Sequence, residues 1–186
     1  MKKLSFLTIM ILLTLIVNSQ NTLKVGDKAP LFSVKSDDGS TWNLADYIGK
    51  KNIVLYFYPA AMTGGCTKQA CSYRDHLEDL NKANAIVAGI SGDDVAALQV
   101  FRKAQNLNFP LLSDFDGSVA KSYGVPTGAG GNITRNVDNA DVVLNRGVTA
   151  QRWTFIIGTD GLISTINQKV DAENDYKSVL EVLGQK

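Results

Sequence analysis

The chain has 186 residues, 45% hydrophobic and 20% charged, with 19 basic residues against 18 acidic ones. That is enough for one domain with a full core, and no internal repeat or low-complexity tract divides it. A net charge of +1 with no basic cluster gives no electrostatic case for nucleic acid or an acidic membrane surface as partner.

The N-terminus reads as a separate object. Lys2 and Lys3 precede an uncharged apolar run from Leu4 to Val17, which gives way to Asn18-Ser19-Gln20. A positive start, an apolar middle and a small or polar exit predict a secretory signal peptide over residues 1–20, cut at or near Ser19. The run is shorter than the roughly 18 apolar residues of a spanning helix. The mature domain, residues 21–186, is therefore expected in the periplasm or secreted, with no stable membrane association after cleavage. In an oxidising compartment two cysteines would by default form a structural disulfide.

Along the mature chain, Leu31–Lys35 and Thr41–Leu44 read as short strands about a turn at Asp37-Asp38-Gly39. Asn52–Tyr58 is apolar after its first residue, as a central strand buried on both faces would be. Cys66–Asn81 has helical spacing, with Ala70, Tyr73, Leu77 and Leu80 on one inward face. Ala85–Ser91 is the next buried strand, and Asp93 or Asp94 caps a helix to Gln105 with Leu98 and Phe101 inward. Phe109–Leu112 is a short strand, and Asp116-Gly117 opens a helical turn to Tyr123. Gly124–Ala150, rich in Gly and Asn, is expected to be a connection with little structure beyond a short strand at Val142–Leu144. Arg152–Gly158 and Leu162–Asn167 form a hairpin about Thr159-Asp160-Gly161, and Ala172–Leu183 is a terminal helix. This order predicts an α/β domain, a thioredoxin-like three-layer fold with a central mixed sheet flanked by helices.

The chemistry concentrates where the strand ending at Tyr58 feeds the helix through Pro59 and Gly64-Gly65. Cys66 sits at the helix start, where unpaired N–H groups and the helix dipole favour a thiolate. Cys71 follows five residues on, and an intact helix holds two such Cα atoms roughly 8–9 Å apart. A disulfide needs less than about 7 Å. A permanent staple and an intact helix therefore exclude each other, which favours a redox pair that switches. Three active readings remain: a disulfide oxidoreductase, whose usual Cys-x-x-Cys is shorter; a metal site; and a peroxide-reducing thiolate. The metal reading lacks a third ligand from a distant segment, since His76, the one histidine, lies in the same helix.

Pro59-x-x-x-Thr63-x-x-Cys66 resembles the peroxidatic motif of peroxiredoxins, and Cys71 matches the resolving position of their bacterioferritin comigratory protein (peroxiredoxin Q) branch. The resemblance runs from Val25-Gly-Asp-Lys-Ala-Pro30 through Phe109-Pro-Leu-Leu-Ser-Asp114 and Val119–Val125 to the terminal helix, and Arg152-Trp-Thr-Phe155 is similar to the strand that bears the family's arginine. It implies a thiol peroxidase acting on hydrogen peroxide and small alkyl hydroperoxides without metal or organic cofactor. Cys66 would be the nucleophile and Cys71 the thiol that resolves its sulfenic acid. Thr63 would accept from the thiol or orient the peroxide, and Arg152, rather than Arg135 or Arg146, would lower the Cys66 pKa and stabilise the leaving oxygen. Pro59 would shield the site, and Gln69 would hold the arginine. A thioredoxin-like reductant would restore the dithiol, and a resolving thiol in the same chain suits a monomer or weak dimer. Tyr73, Arg74 and Asp75 read as packing and solvated charge. A thioredoxin-like protein disulfide oxidoreductase is the alternative, and a non-catalytic binding domain a further one. The sequence departs from the branch at Met62 and Gly64, where relatives often carry Asp and Pro, and in a longer segment between Val125 and Arg152.

Overall fold

The computed structural model describes residues 23–184, so the expected signal peptide lies outside the described residues. Strands β1 (Ser33–Ser36) and β2 (Thr41–Asn43) precede a short 3-10 turn, and β3 (Asn52–Phe57) follows. Helices α1 (Gly64–Asp75) and α2 (Leu77–Lys82) lead to β4 (Ala85–Ser91), then α3 (Val95–Gln105), β5 (Leu111–Ser113) and α4 (Ser118–Ser122). A long hairpin, β6 (Thr127–Val137) and β7 (Ala140–Ala150), precedes β8 (Trp153–Ile157), β9 (Ile163–Asn167) and α5 (Asp175–Gly184).

Seven strands form one mixed sheet in the order β2-β1-β5-β4-β3-β8-β9. β4 runs parallel to both β3 and β5, while β8 is antiparallel to β3 and β9. Alternate residues of β3 enter opposite cores. Ile53, Leu55 and Phe57 pack with Tyr123 of the α4 end and Phe155 of β8. Val54 and Tyr56 pack on the other face with Tyr73 of α1, Leu80 of α2, Phe101 of α3 and Val179 of α5. A strand buried on both faces needs no polar alternation, which is why Asn52–Tyr58 and Ala85–Ser91 were recognisable as continuous apolar runs. The layered mixed sheet agrees with the expected thioredoxin-like architecture.

Two expectations are corrected. The helix begins at Gly64, two residues before Cys66, and breaks at His76, whose Nδ1 lies 2.9 Å from the Ser72 carbonyl while its ring stacks on Tyr176. The stretch read as an unstructured connection is instead the β6–β7 hairpin, paired from Thr127↔Ala150 to Val137↔Ala140. Its turn residues Asp138 and Asn139 both hold positive φ (53° and 65°), the geometry of a tight two-residue hairpin loop. The ribbon is not held by apolar alternation, because most of β6 is exposed. It is held by its own ladder and by docking on the chain beyond β4. Gly147 N–H donates to Gly92 O at 2.9 Å, and Asp94 N–H donates to Asn145 O at 3.0 Å. The backbones approach so closely that a Cβ on Gly92 would lie 2.1 Å from Val148 O.

Candidate active site

The site is built where β3 ends and α1 begins. Tyr58 N–H still pairs with Ile90 O, and the loop from Pro59 to Thr63 then turns away from the sheet. Three contacts fix this loop. Asp93 Oδ2 accepts from Ala61 N–H at 2.7 Å, the Thr63 hydroxyl donates to Ala60 O at 2.9 Å, and Arg135 Nε of β6 donates to Met62 O at 3.0 Å. Met62 holds φ 58°, a left-handed conformation that its side chain does not favour, so its neighbours must hold it there. Asp94, not Asp93, caps α3 by accepting from Ala97 N–H. That leaves Asp93 for the loop. Burial pushes the Asp93 carboxyl above its ordinary 3.8, against the Ala61 and Ser91 hydrogen bonds and the nearby Arg146 guanidinium, which favour its charge.

Thr63 ends the loop in extended conformation and caps α1 without a side-chain hydrogen bond to it. Its hydroxyl proton is committed to Ala60, so only its oxygen lone pairs face other partners. Cys66 lies in the first turn of α1 and is 2% exposed. Arg152, from the residue that leads into β8, donates through Nη2 to Cys66 Sγ at 3.2 Å and through Nη1 to Gln69 Oε1. The guanidinium and the N-terminus of α1 both present positive charge and hydrogen-bond donors at this sulfur. Gly65 makes room for it, since a Cβ there would sit 3.3 Å from Arg152 Nη2.

Behind the guanidinium the polar contacts continue inward. Gln69, fully buried, donates through Nε2 to Asp175 Oδ2 at 2.8 Å. The same oxygen accepts from the Tyr73 hydroxyl at 2.6 Å and the Thr154 hydroxyl at 2.7 Å. Burial pushes the phenols of Tyr56, Tyr58 and Tyr73 well above their ordinary value, so all three stay protonated in the core beside the site.

Of the residues singled out from sequence, Cys66, Arg152 and Gln69 form one contiguous set, with Thr63 and Pro59 on the loop that leads to it. Arg135 and Arg146 lie elsewhere, on Met62 O and beside Asp93. Cys71 is half-buried on α1, its thiol 3.6 Å from Gln105 Oε1, and both cysteines are free. Sequence reasoning missed Asp175, Thr154 and the polar half of Tyr73. Tyr73 falls four residues after Gln69 on one helix face, a spacing that signals packing and not a shared acceptor. Among the described residues no group of three or more His, Cys, Asp or Glu could hold a metal ion.

The AhpC/TSA family profile matches residues 25–166. Peroxiredoxin Bcp of Escherichia coli K12 is 39% identical over 163 residues, spanning 88% of this chain and 97% of its own. The crystal structure of peroxidoxin BcpB from Mycobacterium tuberculosis superposes with a TM-score of 0.73 at 30% identity, over 88% of this chain and 97% of that one. The structure of a Xanthomonas campestris bacterioferritin comigratory protein with alkyl peroxide reduction activity superposes with a TM-score of 0.67 at 26% identity, over 83% of this chain and 90% of that one. Motif, fold and relatives agree, and the chain belongs to the AhpC/TSA family, in its bacterioferritin comigratory protein (peroxiredoxin Q) branch.

Proposed function

We propose that this chain, a thiol peroxidase by family, reduces hydrogen peroxide and small alkyl hydroperoxides through Cys66 and Cys71. The observation that carries the proposal is the Arg152 guanidinium 3.2 Å from Cys66 Sγ at the N-terminus of α1. The Cys66 thiolate attacks one peroxide oxygen, the O–O bond breaks, and the departing oxygen takes a proton and leaves as water or alcohol. Cys66 becomes a sulfenic acid. Arg152 supplies fixed positive charge where negative charge develops on the leaving oxygen. The lone pairs of Thr63, free once its proton is given to Ala60, can accept from the thiol or the peroxide. Pro59 walls the loop side, and Gln69 holds the guanidinium in place.

Cys71 then attacks the sulfenic sulfur, an S–S bond forms and water leaves. Both residues lie in α1, whose geometry keeps their Cα atoms roughly 8–9 Å apart, beyond the reach of a disulfide. The first turns of α1 therefore unwind for this step. A thioredoxin-type dithiol supplies two electrons and two protons to restore the thiols. With the resolving thiol in the same chain, a monomer or weak dimer suffices. Lys2-Lys3 and the apolar run to Val17 support export, with periplasmic or extracellular reductant to match. The mass of the mature chain purified from its native cell tests this, because an intact Met1 end would rule out cleavage.

The chemistry is tested by reducing the chain, adding one equivalent of hydrogen peroxide and following rate and intact mass. Wild type should lose two hydrogens rapidly, Cys71→Ser should stop at an oxidised Cys66, and Cys66→Ser should be nearly inert. A wild type no faster than a free thiol would sink the proposal and bring forward disulfide exchange with protein thiols.

A further inference from the structure

We infer that Asp175 is a positioning residue for the peroxide step, fixing the orientation of the Gln69 amide and, through it, the Arg152 guanidinium against Cys66. The inference rests on the peroxidase reading of Cys66 and Arg152.

Asp175 opens α5, more than a hundred residues from Gln69 in sequence, and is 2% exposed. Burying a carboxylate is costly unless donors surround it. Here one oxygen, Oδ2, takes three of them: Gln69 Nε2, the Tyr73 hydroxyl and the Thr154 hydroxyl. The other oxygen, Oδ1, is buried with no partner among the described residues. The start of α5 adds a favourable field for the charge.

The three donors come from the two elements that carry the reaction. Gln69 and Tyr73 lie on α1 with Cys66, and Thr154 lies on β8, two residues from Arg152. A carboxylate oxygen can only accept, and a guanidinium can only donate. Gln69, between them, has one end of each kind. With its NH2 toward Asp175 its carbonyl meets Arg152, and both contacts are satisfied. Turned over, it would set NH2 against guanidinium and oxygen against carboxylate. Asp175 therefore makes one amide orientation far better than the other. The carbonyl so presented holds Nη1, which leaves Nη2 aimed at Sγ.

The test compares Asp175→Ala, Asp175→Asn, Gln69→Ala and the double variant Asp175→Ala/Gln69→Ala, each first checked for a cooperative thermal transition. Asp175→Ala should slow oxidation of Cys66 by hydrogen peroxide about fivefold to tenfold, the worth of one ordinary hydrogen bond passed on through Gln69. It should also slow alkylation of Cys66 by iodoacetamide at a fixed pH. Asp175→Asn, whose carbonyl can take the place of Oδ2, should restore most of both. In the Gln69→Ala background the aspartate replacement should have no further effect on either reading, since its route to the arginine is gone. An equal slowing in both backgrounds would overturn the inference. If Asp175→Ala does not fold, side-chain amide exchange in 15N-labelled wild type decides: Gln69 Nε2 protons protected from solvent support the inference, and rapidly exchanging ones overturn it. A slow wild type defeats the peroxidase reading itself, whereas a fast wild type with an equally fast Asp175→Ala defeats only this inference.

Discussion

Replacing Gly64 by alanine should slow disulfide formation while leaving the reaction with peroxide unchanged. Gly64 is the first residue of α1, directly after the Thr63 cap, and its φ is not in the left-handed region. A Cβ built on it meets nothing within 4 Å, so alanine adds no clash. Glycine at a position that alanine can adopt costs about 0.4–1 kcal/mol, chiefly through the freedom it gives the unwound chain. Alanine therefore shifts the balance between wound and unwound α1 by about twofold to fivefold toward the helix. Cys71 reaches Cys66 only from the unwound form, so the sulfenic acid should persist longer by the same factor. Gly64→Pro should act in the same direction. Proline suits the first helical position, and Thr63 at φ −109°, ψ 150° already has the extended conformation a residue before proline requires. Gly65→Ala is the contrasting perturbation, because its Cβ would press on Arg152 Nη2 at 3.3 Å and disturb the first step instead. Rapid mixing with one equivalent of hydrogen peroxide, quenched at intervals with an alkylating agent and read by intact mass, separates thiol, sulfenic acid and disulfide. A Gly64→Ala chain with a raised Tm that still forms disulfide at the wild-type rate would refute the claim that unwinding of α1 gates resolution.

Arg152→Met should slow the first oxidation by roughly tenfold to a hundredfold, the worth of a hydrogen bond to a charged partner, as read by stopped-flow mixing with peroxide. A change below threefold would show that the guanidinium 3.2 Å from the sulfur is not used. Asp93→Asn should alter the pH dependence of stability. Because burial raises the native carboxyl above 3.8, the native state holds its proton more tightly than the unfolded chain does, and wild type loses stability as pH rises from about 4 through that raised value. Asparagine does not titrate, so the variant should gain on wild type across that window and keep a constant offset above it. Urea melts at closely spaced pH values measure this, and parallel curves would contradict it. Arg135→Ala removes the donor on Met62 O and should speed disulfide formation about fivefold, the worth of one hydrogen bond, in the same quenched assay. Slower formation would mean that the hairpin does not restrain the loop.

What could be read from the sequence follows the physics of each element. Ala85–Ser91 was legible to the residue because both its faces are buried and its ends are marked by polar residues. The start of α1 was less so. Gly64 and Gly65 carry no helical signal of their own, and the helix includes them because Thr63 turns the chain there. Cys66 stood out at the start of a helix after a strand and loop, and Thr63 and the role of Pro59 through the motif resemblance. Asp175, Tyr73 and Thr154 meet at a single oxygen from three elements, and no local pattern encodes that meeting.

The β6–β7 hairpin is the largest gap between reading and structure, and it bears directly on the site. Its strands show little apolar alternation because little of them is buried, and their pairing is carried by backbone hydrogen bonds that any side chain permits. Asp138-Asn139 was the one local signal, since both residue types tolerate positive φ. Met62 and the segment before Arg152 look unrelated along the chain. In space they touch. Met62 sits in a left-handed conformation, and the group that holds its carbonyl is Arg135 of β6. Asp93 joins the same assembly, taking Ala61 N–H on one side and facing Arg146 of β7 on the other. The loop ahead of Cys66 thus has an external brace. The hairpin and the loop form one structural unit, with α1 beginning where the brace ends.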